Sequence, residues 1–372
     1  MKKIFSFLSY ALLCAVLPLA LCTACGSNDD DEPAPEPVIE PEGEDTLVRL
    51  TDGTFTDGEF IYKVTSATDK ELELIGCVDK STKSALIPSK CSYEDQVYTV
   101  TSIGYSAFAH KDDAGNYVDN TSLRSVIFPG TVTTIAEDAF YCCKALARAD
   151  LPTSLKSIGN KAFYYCSSLE RLDLPSSLTS IGSEAFYYCK SLKGNLKLPS
   201  SLSSVGSGAF QHCAGFTRID FDAPLTTIES NVFSDTGLDN VTIPSSVTTI
   251  GDAAFKSCGN LTEISIPSSV TAIGNQAFYQ CGRLRRVNIP ASVTVIGSQA
   301  FIYCSKLKDV YVHWKSPESV SVNNVHAQPK DYRSFNPCNN LHVPAGTKDS
   351  YASAPLWENF QILEDADKFP VK

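Results

Sequence analysis

The chain has 372 residues, of which 43% are hydrophobic and 10% aromatic, a composition that excludes an intrinsically disordered protein. One Met and 20 Pro residues argue against a helical bundle. The net charge is −11, but residues 26–45 alone contain nine acidic residues and no Lys or Arg. The rest of the chain is therefore close to charge balance, so we expect no binding of nucleic acid.

The N-terminal residues predict export. Lys2 and Lys3 precede a long apolar run, which makes residues 1–24 a signal peptide. Small residues before Cys25 resemble a lipobox, so we expect Cys25 to carry lipid. Residues 25–46 are acidic and rich in Pro and predict an extended tether, whose acidic residues either direct surface display or only solvate it. We expect an outer-membrane lipoprotein, exposed on the cell surface and touching the membrane only through its lipid.

Four residue columns repeat in phase along the chain: Phe, a Leu-like residue, Pro and Cys. The Phe column has spacings of 22 to 24 residues and consists of Phe140, Phe163, Phe186, Phe210, Phe233, Phe255, Phe278 and Phe301. A single unit of this length cannot bury its own apolar edge, but a stack of units can. The columns predict a mainly β, right-handed solenoid of about nine repeats, with short helical turns.

One unit shows what the columns contribute. Val287 and Ile289 alternate with polar residues and predict a short first strand. Gly297 predicts a turn after a second wall. Phe301 and Cys304 are separated by about one helical turn, so both are expected to point inward from such a turn.

Two units depart from the pattern. Phe108 and Leu123 are 15 residues apart where other units have six, and the extra residues, around 111–119, predict a polar loop that bulges from the stack. The unit of Phe233 has Thr236 in place of Cys, and its Pro is displaced. That unit is expected to be a bend or a weak seam.

The repeats resemble the BspA-like leucine-rich-repeat surface proteins of bacteria. The resemblance rests on the segment Ile266–Pro290 and its siblings, on a first repeat at Ile87-Pro88 and on a last one at Leu341–Thr347. It implies a leucine-rich-repeat solenoid attached to the cell surface, associated with adhesion to host proteins or other cells, and without enzymatic activity.

Caps are expected at both ends, because a solenoid otherwise exposes apolar coils. Alternating apolar residues over 59–64 and 71–78 predict a β-hairpin, and Trp314 and Trp357 predict an aromatic plug at the other end. The expected domains are an N-terminal β cap with the first repeat (47–100), the solenoid (101–312) and a C-terminal cap (313–372).

No motif predicts a catalytic residue, a metal site or a cofactor. The Cys residues of the column recur once per unit and not in CxxC pairs, so they predict small buried hydrophobic residues and not zinc ligands. Cys77 and Cys91, in the N-terminal cap, are the one pair that we suspect of forming a disulfide.

Outward positions of the first strands predict a charged strip. The Arg/Asp strip consists of Arg148, Asp150, Arg171, Asp173, Arg218 and Asp220. We expect Arg148 to stack on Arg171, with the aspartates neutralising both, and Lys197 to lie between Asp173 and Asp220. The strip is either a recognition surface for carboxylates or sugar hydroxyls, or a self-compensated, solvated lattice.

The residues just after the Phe column predict an aromatic contact surface. The tyrosine ladder consists of Tyr141, Tyr164, Tyr165, Tyr187 and Tyr188, and it is expected to continue later in the chain with Tyr279 and Tyr303. Tyrosine offers contact area at low entropic cost. The alternative is that these rings lie flat and only shield the edges of the coils.

We therefore expect a surface lipoprotein that binds host or bacterial macromolecules, either extracellular proteins or glycans. A lipoprotein that captures glycans for uptake is one alternative. A structural component of the cell surface that self-associates is another.

Overall fold

The computed structural model describes residues 45–322, 335, 340–354, 357 and 360–368, which lie in one compact unit, Glu40–Lys372. The predicted signal peptide (1–24), Cys25 and nearly all of the predicted tether lie outside the described residues. Those predictions remain open, as do the predicted domain boundaries.

Short strands make up almost all of the regular structure. In chain order they are β1 (Asp45–Thr46), β2 (Val48–Arg49), β3 (Phe55–Thr56), β4 (Phe60–Ser66), β5 (Glu71–Cys77), β6 (Ser84–Leu86), β7 (Lys90–Tyr93), β8 (Gln96–Ile103), β9 (His110–Lys111), β10 (Tyr117–Val118), β11 (Ser125–Ile127), β12 (Thr134–Ile135), β13 (Arg148–Asp150), β14 (Ser157–Ile158), β15 (Ser180–Ile181), β16 (Lys193–Leu198), β17 (Ser204–Val205), β18 (Gly215–Phe221), β19 (Thr227–Ile228), β20 (Asn240–Thr242), β21 (Thr249–Ile250), β22 (Glu263–Ser265), β23 (Ala272–Ile273), β24 (Arg286–Ile289), β25 (Val295–Ile296), β26 (Asp309–Val312), β27 (Ser321–Val322), β28 (Asn340–Val343) and β29 (Gln361–Glu364). One α-helix, α1 (Lys348–Ala352), and 3₁₀ turns at Pro317–Ser319 and Ala366–Lys368 complete the described elements.

Parallel strands stack into two walls of a solenoid. The first wall consists of β6-β11-β13 and of β16-β18-β20-β22-β24-β26-β28-β29. The second wall runs from β8 through β12, β14, β15 and β17, and again from β19 through β21, β23, β25 and β27. Equivalent residues of successive coils pair directly, as Val287 does with Ile264 and Val310. The predicted solenoid is confirmed, with about ten turns of about 23 residues.

The core is a stack of phenylalanines. Ten rings, from Phe108 to Phe335, follow one another with centroids 4.8–6.0 Å apart and interplanar angles of at most 22°. The column cysteines are buried beside them, and each Sγ donates to the Phe carbonyl of the preceding coil, as Cys189 does to Phe163 at 3.1 Å. The interpretation of these cysteines as buried hydrophobic residues is confirmed.

The third side of each coil, here called the turn wall, extends from two residues before each core Phe to two residues after it. The prediction of a helical turn here was wrong. Lys161 and Tyr165, on either side of Phe163, both have left-handed backbones, with φ of 53° and 57°. Their amides and that of Phe163 point along the solenoid and donate to carbonyls of the next coil at 2.7–2.9 Å. The segment therefore extends the stack instead of closing a helix.

The predicted role of Gly297 was also wrong. Gly297 does not have a positive φ, so no turn requires it. A Cβ at Gly297 would instead lie 2.3 Å from the backbone nitrogen of Asn275, on the preceding coil. Glycine is needed here because adjacent coils approach too closely for any side chain.

A seam interrupts the stack where the sequence predicts one. Among the described residues, no strand pairing joins β17 to β19, and β18 pairs with β20 only through Arg218 and Asn240. The rings of Phe210 and Phe233, on either side of the seam, are 6.0 Å apart, the widest step in the phenylalanine stack.

The caps cover both ends. Strands β4 and β5 form the predicted antiparallel hairpin, and β5 continues in parallel with β8 into the second wall. At the other end, the indole N–H of Trp314 donates to the carbonyl of Val293 at 2.7 Å. The ring centroids of Trp314 and Trp357 are 6.2 Å apart. The predicted aromatic plug is confirmed.

The suspected disulfide is absent, because Cys77 and Cys91 are both free thiols. Cys91 pairs with Tyr98 on β8, whereas Glu71 of β5 pairs with the neighbouring Thr99. Cys77 lies six residues further along β5, which is roughly 20 Å away and far beyond the reach of a disulfide.

Candidate binding surface

The Arg/Asp strip consists of ion pairs within single coils. Arg148 Nε is 2.7 Å from Asp150 Oδ2, and the pairs Arg171–Asp173 and Arg218–Asp220 measure 2.5 and 3.0 Å. The hydrogen bond from Asn195, followed by the one from Arg218, holds the pKa of Asp220 below its usual range. The expectation that the aspartates neutralise the arginines is confirmed.

One detail of the predicted strip was wrong and one is confirmed. Lys197 lies opposite Asp220 in the parallel pair of β16 and β18, as expected, but its ion pair at 3.5 Å is with Asp222 and not with Asp173. Arg171 and Asp173 belong to no strand, so the first wall is interrupted between β13 and β16, and the stacking of Arg148 on Arg171 stays a prediction. The register between β16 and β18 shifts at Gly194/Asn195, because Thr217 of β18 has no partner there and forms a bulge.

The tyrosine ladder forms an ordered aromatic stack on the turn wall. The rings of Tyr141 and Tyr164, and those of Tyr164 and Tyr187, are each 4.8 Å apart with interplanar angles of 10°. A second column beside it stacks Tyr165 on Tyr188 at 4.5 Å. All five side chains are half-buried, so the ladder is partly open to solvent.

The orientation of the rings limits what the ladder can contact. Tyr141, Tyr164 and Tyr187 stack face to face along the solenoid, so their faces are occupied by one another. The rings neither lie flat on the coils nor offer open faces; they present edges and hydroxyl groups. Burial, reinforced by neighbouring phenols, raises the pKa of Tyr164, so these hydroxyls stay protonated donors near neutral pH.

His212 ends both columns at the seam. Its ring meets Tyr187 at 5.1 Å and 89°, and Tyr188 at 5.5 Å and 63°. Beyond the seam, Tyr279 and Tyr303 meet edge to face at 88° and do not continue the stack. The ladder is therefore confined to the N-terminal half of the solenoid.

The inserted segment extends the ladder at its other end, which sequence reasoning missed. Instead of a simple loop, β9 and β10 form an antiparallel hairpin. The hairpin brings the ring of Tyr117 to 4.3 Å from Tyr141, and the Tyr117 hydroxyl to 3.0 Å from that of Tyr105. The turn-forming residues from Asp112 to Asn116 were the available signal, but the length of the insertion gave no register to place Tyr117.

A buried carboxylate holds Tyr117 in position. Tyr117 donates to Asp138 Oδ2 at 2.7 Å, and its oxygen is 2.7 Å from Ser106 Oγ. Asp138 is only 7% exposed, and its Oδ1 has no hydrogen-bond partner among the described residues. Burial raises the pKa of Tyr117, whereas the hydrogen bond between the Tyr105 and Tyr117 hydroxyls lowers the pKa of Tyr105.

Lysines lie over several rings of the turn wall. Lys161 Nζ is 5.9 Å from the centroid of Tyr164, and Lys190 Nζ is 5.8 Å from that of Tyr188. Lys161 also pairs with Glu184 at 3.6 Å. The turn wall thus combines aromatic edges with flexible charged groups, whereas the Arg/Asp strip lies on the first wall.

A family profile described as BspA type leucine rich repeat region matches the chain in six copies, over residues 89–194, 113–236 and 194–308. These matches span more than half of the sequence and coincide with the stacked coils. The chain belongs to the BspA-type leucine-rich-repeat family. No curated protein matches it.

Solved structures of other bacterial leucine-rich-repeat proteins resemble this BspA-type chain. A leucine rich cell surface protein from Faecalibacterium prausnitzii A2-165 is 25% identical, with a TM-score of 0.55 over 84% of this chain and 94% of that one. The leucine-rich-repeat protein TpLRR of T. pallidum is 28% identical, with a TM-score of 0.44 over 60% and 87%. The pneumococcal vaccine antigen PcpA is 17% identical, with a TM-score of 0.47 over 87% and 99%.

Within the described residues, no helix has the length and apolar character needed to cross a bilayer.

Proposed function

We propose that this BspA-type protein is a surface-displayed, non-catalytic binding module that adheres to a host or bacterial protein through its tyrosine ladder. The observation that carries the proposal is the ordered, half-buried stack of Tyr141, Tyr164 and Tyr187, whose ring edges are open to solvent. Stacked rings are already immobilised, so a partner that packs against them orders few additional side chains.

The tyrosine ladder is a better contact surface than the Arg/Asp strip. The strip's charges already neutralise one another, and their side chains are highly exposed, as in Arg171 at 80%. A partner would have to desolvate these pairs for little gain. The ladder instead offers ordered aromatic edges with hydroxyl donors, the type of surface that is enriched in protein interfaces.

Capture of a glycan is the second candidate, and the ring orientation argues against it. Sugars commonly pack against exposed ring faces, whereas the faces of Tyr141, Tyr164 and Tyr187 cover one another. Hydroxyl contacts alone would remain. Self-association has no specific observation in its favour.

Surface display is part of the proposal. It is supported by the export signal, by the lipobox-like residues at Cys25 and by the F. prausnitzii relative, which is a cell surface protein. We expect metabolic labelling with an alkyne fatty acid to mark the wild-type chain and not Cys25→Ser. Labelling of the variant would contradict lipidation at Cys25.

The binding test uses the full-length chain, purified in mild detergent, against a panel of host matrix proteins and glycans at two salt concentrations. We expect saturable binding to a protein, with an affinity at least tenfold lower for the double variant Tyr164→Ala/Tyr187→Ala. The matched control is Tyr279→Ala/Tyr303→Ala, which removes turn-wall tyrosines outside the ladder and is expected to leave the affinity within twofold.

Other outcomes would redirect the proposal. Binding that survives loss of the ladder but disappears in Arg148→Ala/Arg171→Ala and weakens with salt would assign the site to the Arg/Asp strip. Saturable binding to a glycan, unaffected by salt, would establish glycan capture.

A further inference from the structure

The end of the ladder formed by the inserted hairpin holds an ammonium group between two aromatic rings. Lys111 Nζ lies 4.5 Å from the centroid of Tyr117 and 5.1 Å from that of Tyr105. We propose that these two rings, here called the Tyr105–Tyr117 clamp, bind a Lys or Arg side chain of the partner protein in place of Lys111. The inference deepens the proposed function and rests on it for the identity of the surface.

The clamp fits a cation because both rings already accept one. Ring faces attract ammonium and guanidinium groups within about 6 Å of the centroid. Lys111 makes no ion pair with any described residue, so the rings alone hold its ammonium group. A cation held in this way exchanges for another cation without breaking a salt bridge.

A buried carboxylate adds a specific reason for a cationic ligand. Asp138 lies behind the clamp and positions Tyr117 through a 2.7 Å hydrogen bond. Its Oδ1 is buried and accepts no hydrogen bond from the described residues. Such an oxygen is costly to leave unsatisfied, and it places negative charge behind the rings.

The charges of the hairpin oppose an anionic ligand. The segment 110–144 contains five carboxylates (Asp112, Asp113, Asp119, Glu137 and Asp138) against three cationic side chains (Lys111, Arg124 and Lys144). Lys144 is already paired with Asp119 at 2.7 Å. The segment thus retains an excess of negative charge even with Lys111 in place.

The clamp is accessible from solvent. Tyr105 is 56% exposed, one of the few large hydrophobic side chains of the described chain that is so open. Lys111 is exposed as well. A partner side chain can therefore approach the rings as Lys111 swings away, without rearrangement of the coils.

The test measures binding of tetralysine and tetraglutamate peptides to the full-length chain by calorimetry. Lys111→Met removes the competing ammonium group and keeps its aliphatic stem. We expect this variant to bind tetralysine about threefold to fivefold more tightly than the wild type. Adding Tyr105→Ala to Lys111→Met should abolish the gain, and Asp138→Asn should reduce it, whereas Tyr303→Ala should not change it.

Three results would overturn the clamp: undetectable binding of tetralysine by Lys111→Met, a gain that survives Tyr105→Ala, or tighter binding of tetraglutamate. Circular dichroism of each variant separates loss of the site from loss of the fold. Different results would contradict the clamp and the proposed binding through the tyrosine ladder. If a panel protein no longer binds Tyr164→Ala/Tyr187→Ala but binds Tyr105→Ala as it binds the wild type, the clamp alone is contradicted. If the variants respond to tetralysine as expected but no panel protein binds the wild type, the ladder alone is contradicted.

Discussion

Most coils have a glycine at a position where the preceding coil leaves no room for a side chain, and a buried cysteine beside the core phenylalanine. Gly182 lies where a Cβ would come 2.4 Å from the backbone nitrogen of Asn160 on the preceding coil. Cys189 is completely buried, and its Sγ reaches the carbonyl of Phe163. Both residues act between coils, so their substitution tests how tightly the coils are stacked.

We expect Gly182→Ala to destabilise the solenoid by about 1–3 kcal/mol, because the new methyl group must push two backbones apart. The matched control is Gly282→Ala, where the nearest atom to the new Cβ is Ser305 Oγ at 3.8 Å. Thermal unfolding followed by circular dichroism measures both. Equal midpoints for the two variants would contradict the close approach of the coils.

Cys189→Ala removes a buried sulfur and its hydrogen bond, so we expect a loss of about 1–2 kcal/mol in unfolding free energy. Cys142→Ala is the control, since Cys142 is only half-buried and lies outside the column. Urea titration of both variants provides the comparison. A control that loses as much stability as Cys189→Ala would show that the column has no special role.

At the scale of the element, the face-to-face column of the tyrosine ladder makes the stability of the fold depend on pH. Burial raises the pKa of Tyr141, Tyr164 and Tyr187 above the usual value for a phenol. In the unfolded chain these phenols lose protons near pH 10, whereas the folded chain keeps them to higher pH. The folded state then holds more protons, so stability is intact below pH 10 and falls as the pH rises above it.

We therefore expect phenolate absorbance to rise in two phases, and the later phase, from Tyr141, Tyr164 and Tyr187, to coincide with unfolding. The variant Tyr164→Phe should unfold at higher pH than the wild type, because one buried phenol no longer ionises. Absorbance at alkaline pH, recorded beside circular dichroism, measures both. A single phase near the ordinary phenol value would refute the burial of the ladder.

The repeating columns of the sequence were enough to predict the strands and the buried positions, but not the backbone conformation of the turn wall. Phe163 and Cys166 were correctly expected to point inward, because periodicity reports burial whatever the local conformation. Their spacing also fits a helical turn, so the left-handed residues Lys161 and Tyr165 were not foreseen. Tyr117 escaped prediction because it lies in an insertion outside the repeat, where pairing register depends on the hairpin and not on a column.

At the scale of the whole molecule, the seam divides the second wall of the described solenoid into two ladders. The amide of Thr248 donates to Thr226 at 2.8 Å and that of Gly251 donates to Ile228 at 2.8 Å, which ties the coil of β21 to that of β19. Among the described residues, β19 has no equivalent partner in β17. Local opening should therefore begin at this coil.

We expect the amides of residues 226–229 to exchange with solvent at least tenfold faster than those of residues 248–251. Hydrogen exchange read by mass spectrometry on overlapping peptides makes the comparison within one molecule. Similar rates at both sites would mean that the seam is closed in solution. The same experiment on Gly282→Ala, which should not affect the seam, controls for general loosening.

The left-handed backbone positions of the turn wall restrict which amino acids this face can accept during evolution. Within the described coils these positions hold Asp, Cys, Lys, Tyr, Glu, His, Asn, Ala, Ser, Gln and Gly, and none holds Val, Ile or Thr. Branching at Cβ is poorly tolerated at positive φ. New specificities on this face must therefore arise by exchanging unbranched side chains of different length, charge and aromaticity, and a library built to redirect binding can omit three amino acids from the outset.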